Sequence, residues 1–256
     1  TATGAYSLAA NTTGGSNVAM GYQALDANTT AHSNTAIGTK SLSANTTGEE
    51  NTALGEFALY SNTTAGYNTA VGKAALKANT TGASNTAVGA LSLDANTTGG
   101  DNTAVGTSAL TANTTGANNT AVGRKALLTN STGEYNTAVG SQALMDNTTG
   151  VRNSAFGDSA LANNTTGQYN TALGRESLFY NTTGVSNTAV GKDALRANIT
   201  GYENTAVGYG ALKVCTGSWN TAVGHLTADN LTSGNHCASF GHNATPSSAA
   251  VGNQMT

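Results

Sequence analysis

One sentence of seventeen residues is written over and over along this chain. Residues 130–146 read NSTGEYNTAVGSQALMD. Seventeen residues earlier stands NTTGANNTAVGRKALLT, and seventeen later NTTGVRNSAFGDSALAN. The asparagine that opens each unit recurs from Asn11 to Asn198 in steps of seventeen, with no insertion. The register slips after Asn198, where one residue is lost at CTGSWN. A flexible linker has no reason to hold such a register. A stack of coils does, because each residue then meets its own copy one unit along.

The length of the unit selects the kind of stack. Seventeen residues are too few for a helix pair, which needs more than about thirty. They suffice for short strands joined by corners. The expected fold is all-β, a parallel β-solenoid (β-roll) of about fifteen coils. At about 4.8 Å per coil it is about 70 Å long. A short helical turn at GxxALxA is a further expectation, since Ala and Leu favour helix. Regular coils are expected over residues 1–214, and an irregular terminal region, a cap or a transition, over 215–256.

Within the consensus N-T-T-G-x-x-N-T-A-V-G-x-x-A-L-x-A some positions hardly vary. The second glycine is present in every copy from Gly21 to Gly241, as a corner with positive φ or a close backbone approach requires. The first glycine is replaced by Ala31 and Ala65. The Leu slot is unbroken from Leu8 to Leu212. From Met20 on the Val slot is always apolar, with Met20, Ile37, Leu54, Phe156 and Phe240 among its occupants. Strand alternation then puts Val inside the coil and the neighbouring Ala outside. An outward position fixed as Ala, and a pre-Leu slot held to Ala or Ser, predict a second copy of the chain pressing on these small faces. The asparagines are expected to form amide ladders. The N-T-T triplets match a glycosylation sequon, but their spacing is read as serving the corner.

NTAVG followed by xxAL resembles the strand-and-corner motif of trimeric autotransporter adhesin head repeats, written there S-V-A-I-G. The longer unit is similar to repeats of phage and bacterial fibre proteins, many of which end in an endosialidase-type chaperone domain. The resemblance spans about residues 1–241. It implies a left-handed β-roll and a homotrimer. It also implies a structural or adhesive fibre segment, on a virion or a bacterial surface appendage, and hence an extracellular place. The unit here is longer than the adhesin one, so its NTTGxx corner is longer too.

Composition narrows the chemistry. Charged residues are 9% of the chain, against about 25% in ordinary soluble domains. The net charge is −3, with no basic stripe to meet phosphates, so a nucleic-acid partner is not expected. No apolar run of membrane-spanning length is present. The chain opens inside a repeat, at TATGAYSLAA, and ends on SAAVGNQMT; it is expected to be a portion of something longer. No nucleophile elbow, P-loop or HExxH motif occurs, so an enzyme and a cofactor are not expected. Glu49, Glu50, Asp101, Asp158 and Asp193 are read as solvated corner residues. A glycan-cleaving role needs a carboxylate pair in a groove, which the sequence does not indicate.

The candidate sites are of a softer kind. Tyr67, Tyr135, Tyr169, Tyr202 and Trp219 fall before the second Asn, where exposed rings can stack on a cell-surface glycan. Tyr60 and Tyr180 have similar standing. His225, His236 and His242 gather near the end, where copies of one histidine in a trimer could meet a metal. Cys215 and Cys237 face each other across one corner as a candidate disulfide. Trp219, Phe240 and Pro246 instead favour a cap. An alternative function is ice binding, on rows of stacked threonines such as Thr12, Thr29, Thr46 and Thr63.

Overall fold

A computed structural model describes residues 1–245. The chain is a parallel β-solenoid with one short strand per coil, fifteen strands in all among the described residues. Two compact units divide it, Thr1–Thr132 and Gly133–Thr256. The first holds β1 (Ala2–Thr3) to β8 (Thr120–Val122), and the second β9 (Thr137–Val139) to β15 (Ala238–Phe240). In each unit, strands consecutive in sequence pair in parallel with like residues opposite. Ala36 lies against Ala53 in the first, and Ala155 against Ala172 in the second. Pairing continues past residue 214: Ala206 meets Ala222, and Ala222 meets Ser239. The residue lost near Cys215 is absorbed in a corner, and the strands keep their register.

The strand faces are the reverse of the sequence expectation. The Ala of N-T-A-V-G points inward and is fully buried from Ala19 to Ala222. The Val slot points outward, and Met20, Leu54, Phe156 and Leu173 are each at least 40% exposed. The reason is the size of the interior. A seventeen-residue coil encloses little space, and that space is already taken. Twelve leucines from Leu25 to Leu212 project into it from the opposite side, and two asparagines per coil fill the rest. Across from a Leu, only a methyl fits. The pre-Leu slot is buried in the same way, and its serines are satisfied locally. Ser41, Ser92 and Ser177 donate their hydroxyls to the carbonyls of Gly38, Gly89 and Gly174.

The GxxAL segment is a turn, not the short helix considered from propensity. Its third and fifth residues have positive φ, as in Phe57 (60°) and Leu59 (50°). A left-handed backbone costs an L-residue roughly 1–2 kcal/mol, and a β-branched side chain fits it worst. This explains why the buried apolar slot holds Leu and never Ile or Val. A third positive-φ position lies just before the second Asn, at Ser33, Glu50 and Tyr67 and their equivalents, and it too holds no β-branched residue.

The asparagines form two ladders. In the first row, Asn62 Nδ2 donates to Asn45 Oδ1 (2.9 Å), and Asn79 Nδ2 to Asn62 Oδ1 (3.0 Å). In the second row, Asn68 N–H donates to Asn51 Oδ1 (3.0 Å), and Asn85 N–H to Asn68 Oδ1 (2.9 Å). The rows run side by side, since Asn51 Nδ2 and Asn62 Nδ2 both donate to Ala65 O, each at 2.9 Å. A buried amide left unpaired costs about 1–3 kcal/mol. Each coil avoids that cost only if the next coil repeats the residue, which is why the period admits no drift. The sequon nitrogens are therefore buried donors within the ladder, as the corner reading of N-T-T requires.

The second glycine meets both conditions expected of it. At Gly89, φ is 134° and a Cβ would stand 2.6 Å from the Gly106 carbonyl. The first glycine has no positive φ, and Ala31 and Ala65 occupy that slot while buried.

Candidate binding surface

With Ala turned inward, each strand presents Thr and Val to the outside. Thr69 and Val71, Thr86 and Val88, and Thr103 and Val105 form two parallel rows on one sheet face of the first unit. These residues are partly exposed, and the second unit carries the same rows, with Phe156 and Leu173 in the Val slot. The face is periodic and free of charge at the strand positions, with one threonine row and one apolar row.

The first threonines of N-T-T are placed differently from the strand threonines, while the second ones, such as Thr47 and Thr64, are exposed. Thr12 Oγ1 donates to Thr29 O (2.9 Å), Thr46 Oγ1 to Thr63 O (3.1 Å), and Thr63 Oγ1 to Thr80 O (3.2 Å). Their hydroxyl protons are used inside the stack.

The expected corner rings are exposed, and the second unit gathers most of them. Tyr135, Arg152, Tyr169, Trp219 and His236 occupy the same positive-φ slot in different coils. Arg152 lies 5.3 Å from the Tyr135 ring and 5.7 Å from the Tyr169 ring, and its Nη1 donates to Tyr169 OH (3.1 Å). Tyr202 meets Trp219 edge-on at 4.6 Å, and His236 stacks flat on Trp219 at 4.7 Å. Tyr67 holds the slot in the first unit and is 64% exposed. Tyr60 packs edge-on with Phe57 at 5.7 Å. Tyr180 packs with Phe179, and the Arg196 guanidinium lies over both rings.

The three histidines do not gather. His225 and His242 stack at 5.0 Å, with Tyr209 continuing the column at 5.2 Å. His236 sits at the other corner on Trp219. Among the described residues, no three His, Cys, Asp or Glu side chains of the chain come together as metal ligands. Slot arithmetic misled here, because two corners of one coil are near in sequence but separate in space. Both thiols are free, Cys215 buried and Cys237 partly exposed. Burial pushes the Cys215 thiol pKa up. Pro246 lies outside the described residues.

Glu49, Glu50, Asp101 and Asp158 are exposed corner residues, as expected. Asp193 is not: it is 8% exposed, with its carboxylate 3.6 Å from Arg196 and 4.0 Å from Lys192. Arg196 also pairs with Glu176 at 2.8 Å. Hydrogen bonding to Arg196 holds the Glu176 carboxyl below its usual value. This cluster was missed in the sequence because its members are scattered over variable slots. Only the three-residue spacing from Asp193 to Arg196 hinted at it. Among the described residues, no helix is long and apolar enough to cross a membrane.

No protein-family model matches the chain, and a search of curated proteins returns no match.

Proposed function

We propose that the chain is a segment of a homotrimeric fibre, structural and adhesive, on a phage tail or a bacterial surface appendage. Three copies pack through their outward Thr–Val faces and hold a binding end away from the surface that carries them. The observation that carries this reading is the Val slot, apolar and turned outward in every described coil from Met20 to Phe240. Completing the burial of one half-exposed Val, Leu or Phe contributes about 1 kcal/mol. Repeated over the coils of both facing chains, that is comparable to or larger than the roughly 4–15 kcal/mol that association costs. The partner is a second copy because the rows repeat once per coil, and only a surface with the same repeat meets every row in register.

The rings at Tyr67, Tyr135, Tyr169, Tyr202 and Trp219 stand at the corners, 39–64% exposed, and offer that surface for stacking on a cell-surface glycan. The test is cross-linking. With Cys215→Ser and Cys237→Ser as background, Val88→Cys should cross-link to its own copy in a neighbouring chain, and Glu49→Cys at the corner should not. Cross-linking at Glu49→Cys alone would defeat the reading.

Ice binding is the second reading, and one observation favours it in a changed form. The outward strand threonines, beside valines on a regular face, are better placed to order water than the N-T-T threonines. Freezing-point depression without self-association would select it.

A further inference from the structure

The two amide ladders stop within the described residues, and cysteines are what replace them. The first row runs Asn181, Asn198, Cys215, Leu231; the second runs Asn187, Asn204, Asn220, Cys237. The exchange is not neutral. Asn198 Oδ1 is left buried without a hydrogen-bond partner, a destabilising loss. Both cysteines touch a single side chain, Cys215 through its thiol and Cys237 through its backbone N–H, while the Cys237 thiol donates to Asn235 O at 3.5 Å. Asn220 Nδ2 donates to Cys215 Sγ at 3.5 Å, and Asn220 Oδ1 accepts from Cys237 N–H at 3.0 Å. Cys215 belongs to the same coil as Asn220 and Cys237 to the next one, about 4.8 Å along the stack before any sideways offset. A disulfide requires Cα atoms within about 7 Å.

We propose that Cys215 and Cys237 form an intrachain disulfide under oxidising conditions, and that this bond locks the last coils where the amide ladders end. The oxidant is a small-molecule disulfide such as glutathione disulfide. Cys237 reacts first because it is the more exposed thiol. Its thiolate attacks one glutathione sulfur, breaks the sulfur–sulfur bond and releases one glutathione thiolate. The Cys215 thiolate then attacks the Cys237 sulfur of the mixed disulfide and releases the second. The two cysteines lose two protons and two electrons, and one glutathione disulfide becomes two glutathiones.

The experiment treats the full chain with glutathione disulfide and reads intact mass without reductant. The expected product has lost two hydrogen atoms, keeps no glutathione and is not linked to another chain. Cys215→Ser, treated in the same way, should retain one glutathione. Hydrogen exchange supplies a second readout. The amides of Thr221 and Cys237, which donate to Cys237 O and Asn220 Oδ1, should slow about tenfold or more on oxidation. Unreacted thiols, a stable glutathione adduct on the wild-type chain, a chain-to-chain disulfide, or unchanged exchange after oxidation would each overturn the proposal.

Discussion

Asn198 Oδ1 has no hydrogen-bond partner because Cys215 stands at the next position of its row. Every earlier step of that row in the second unit is closed by an amide, as Asn198 Nδ2 closes on Asn181 Oδ1 at 2.9 Å. Replacing Cys215→Asn supplies the missing donor. In the reduced protein it should stabilise the fold by about 1–2 kcal/mol, seen as a higher urea midpoint at unchanged slope. A lower midpoint would mean that the shortened corner does not admit the amide.

The two glycine slots should respond differently to a methyl group. Gly89→Ala meets positive φ and the Gly106 carbonyl at once, and should cost about 3 kcal/mol or more. Gly99→Ala also brings its Cβ against the Gly116 carbonyl, but it meets no positive φ, and the chain already places Ala31 and Ala65 in this slot. It should cost less than Gly89→Ala, about 1–2 kcal/mol. Equal losses in thermal unfolding would show that crowding, not backbone conformation, sets the constraint.

How much of this was legible in the sequence follows from what each residue reports. The period, the parallel register, the glycine corner and the amide ladders were readable because each is a demand of one residue on its own copy. The facing of the strand was not, because the larger apolar side chain was assigned to the interior by the usual rule. A signal against that was present. The Val slot accepts Met20, Leu54 and Phe156, and a closed interior does not tolerate such changes of volume. Invariant Ala marked the tight side. The corner columns were half legible: the slot of Tyr135 and Tyr169 is evident, but the Arg152 bridge between them is not. Asp193, Arg196 and Glu176 came together only in three dimensions.

Those strand faces yield a direct check. Ala104→Val forces two methyl groups into the filled interior and should destabilise by about 1–3 kcal/mol. Val105→Thr, one residue away and outward, should cost well under half as much in an isolated chain. The reverse order in chemical denaturation would restore the face assignment expected from sequence.

Acid should act on the carboxylates in opposite senses. Burial raises the Asp94 and Asp146 carboxyls above 3.8, with Lys77 partly opposing at Asp94. Just above that value the folded chain keeps protons that the unfolded chain has released, so these groups lower stability as pH rises through the window. Glu176 is held below 4.5 by Arg196; its contribution is present above that value and is lost as pH falls through the folded one. Asp94→Asn should therefore raise stability at neutral pH and change it little in acid. Glu176→Gln should lower it at neutral pH and change it little in acid. Urea midpoints across that range test both signs, and the same sign for both variants at neutral pH would contradict the account.

The most direct test of the central claim, that the outward Thr–Val face is a contact between copies, is the solution mass by light scattering on a size-exclusion column. The account predicts about three times the 25.3 kDa of the chain, falling to the chain mass when Val88→Lys and Val105→Lys are combined. A wild-type protein that elutes at the chain mass across the concentration range would contradict it, and would leave the apolar rows facing water.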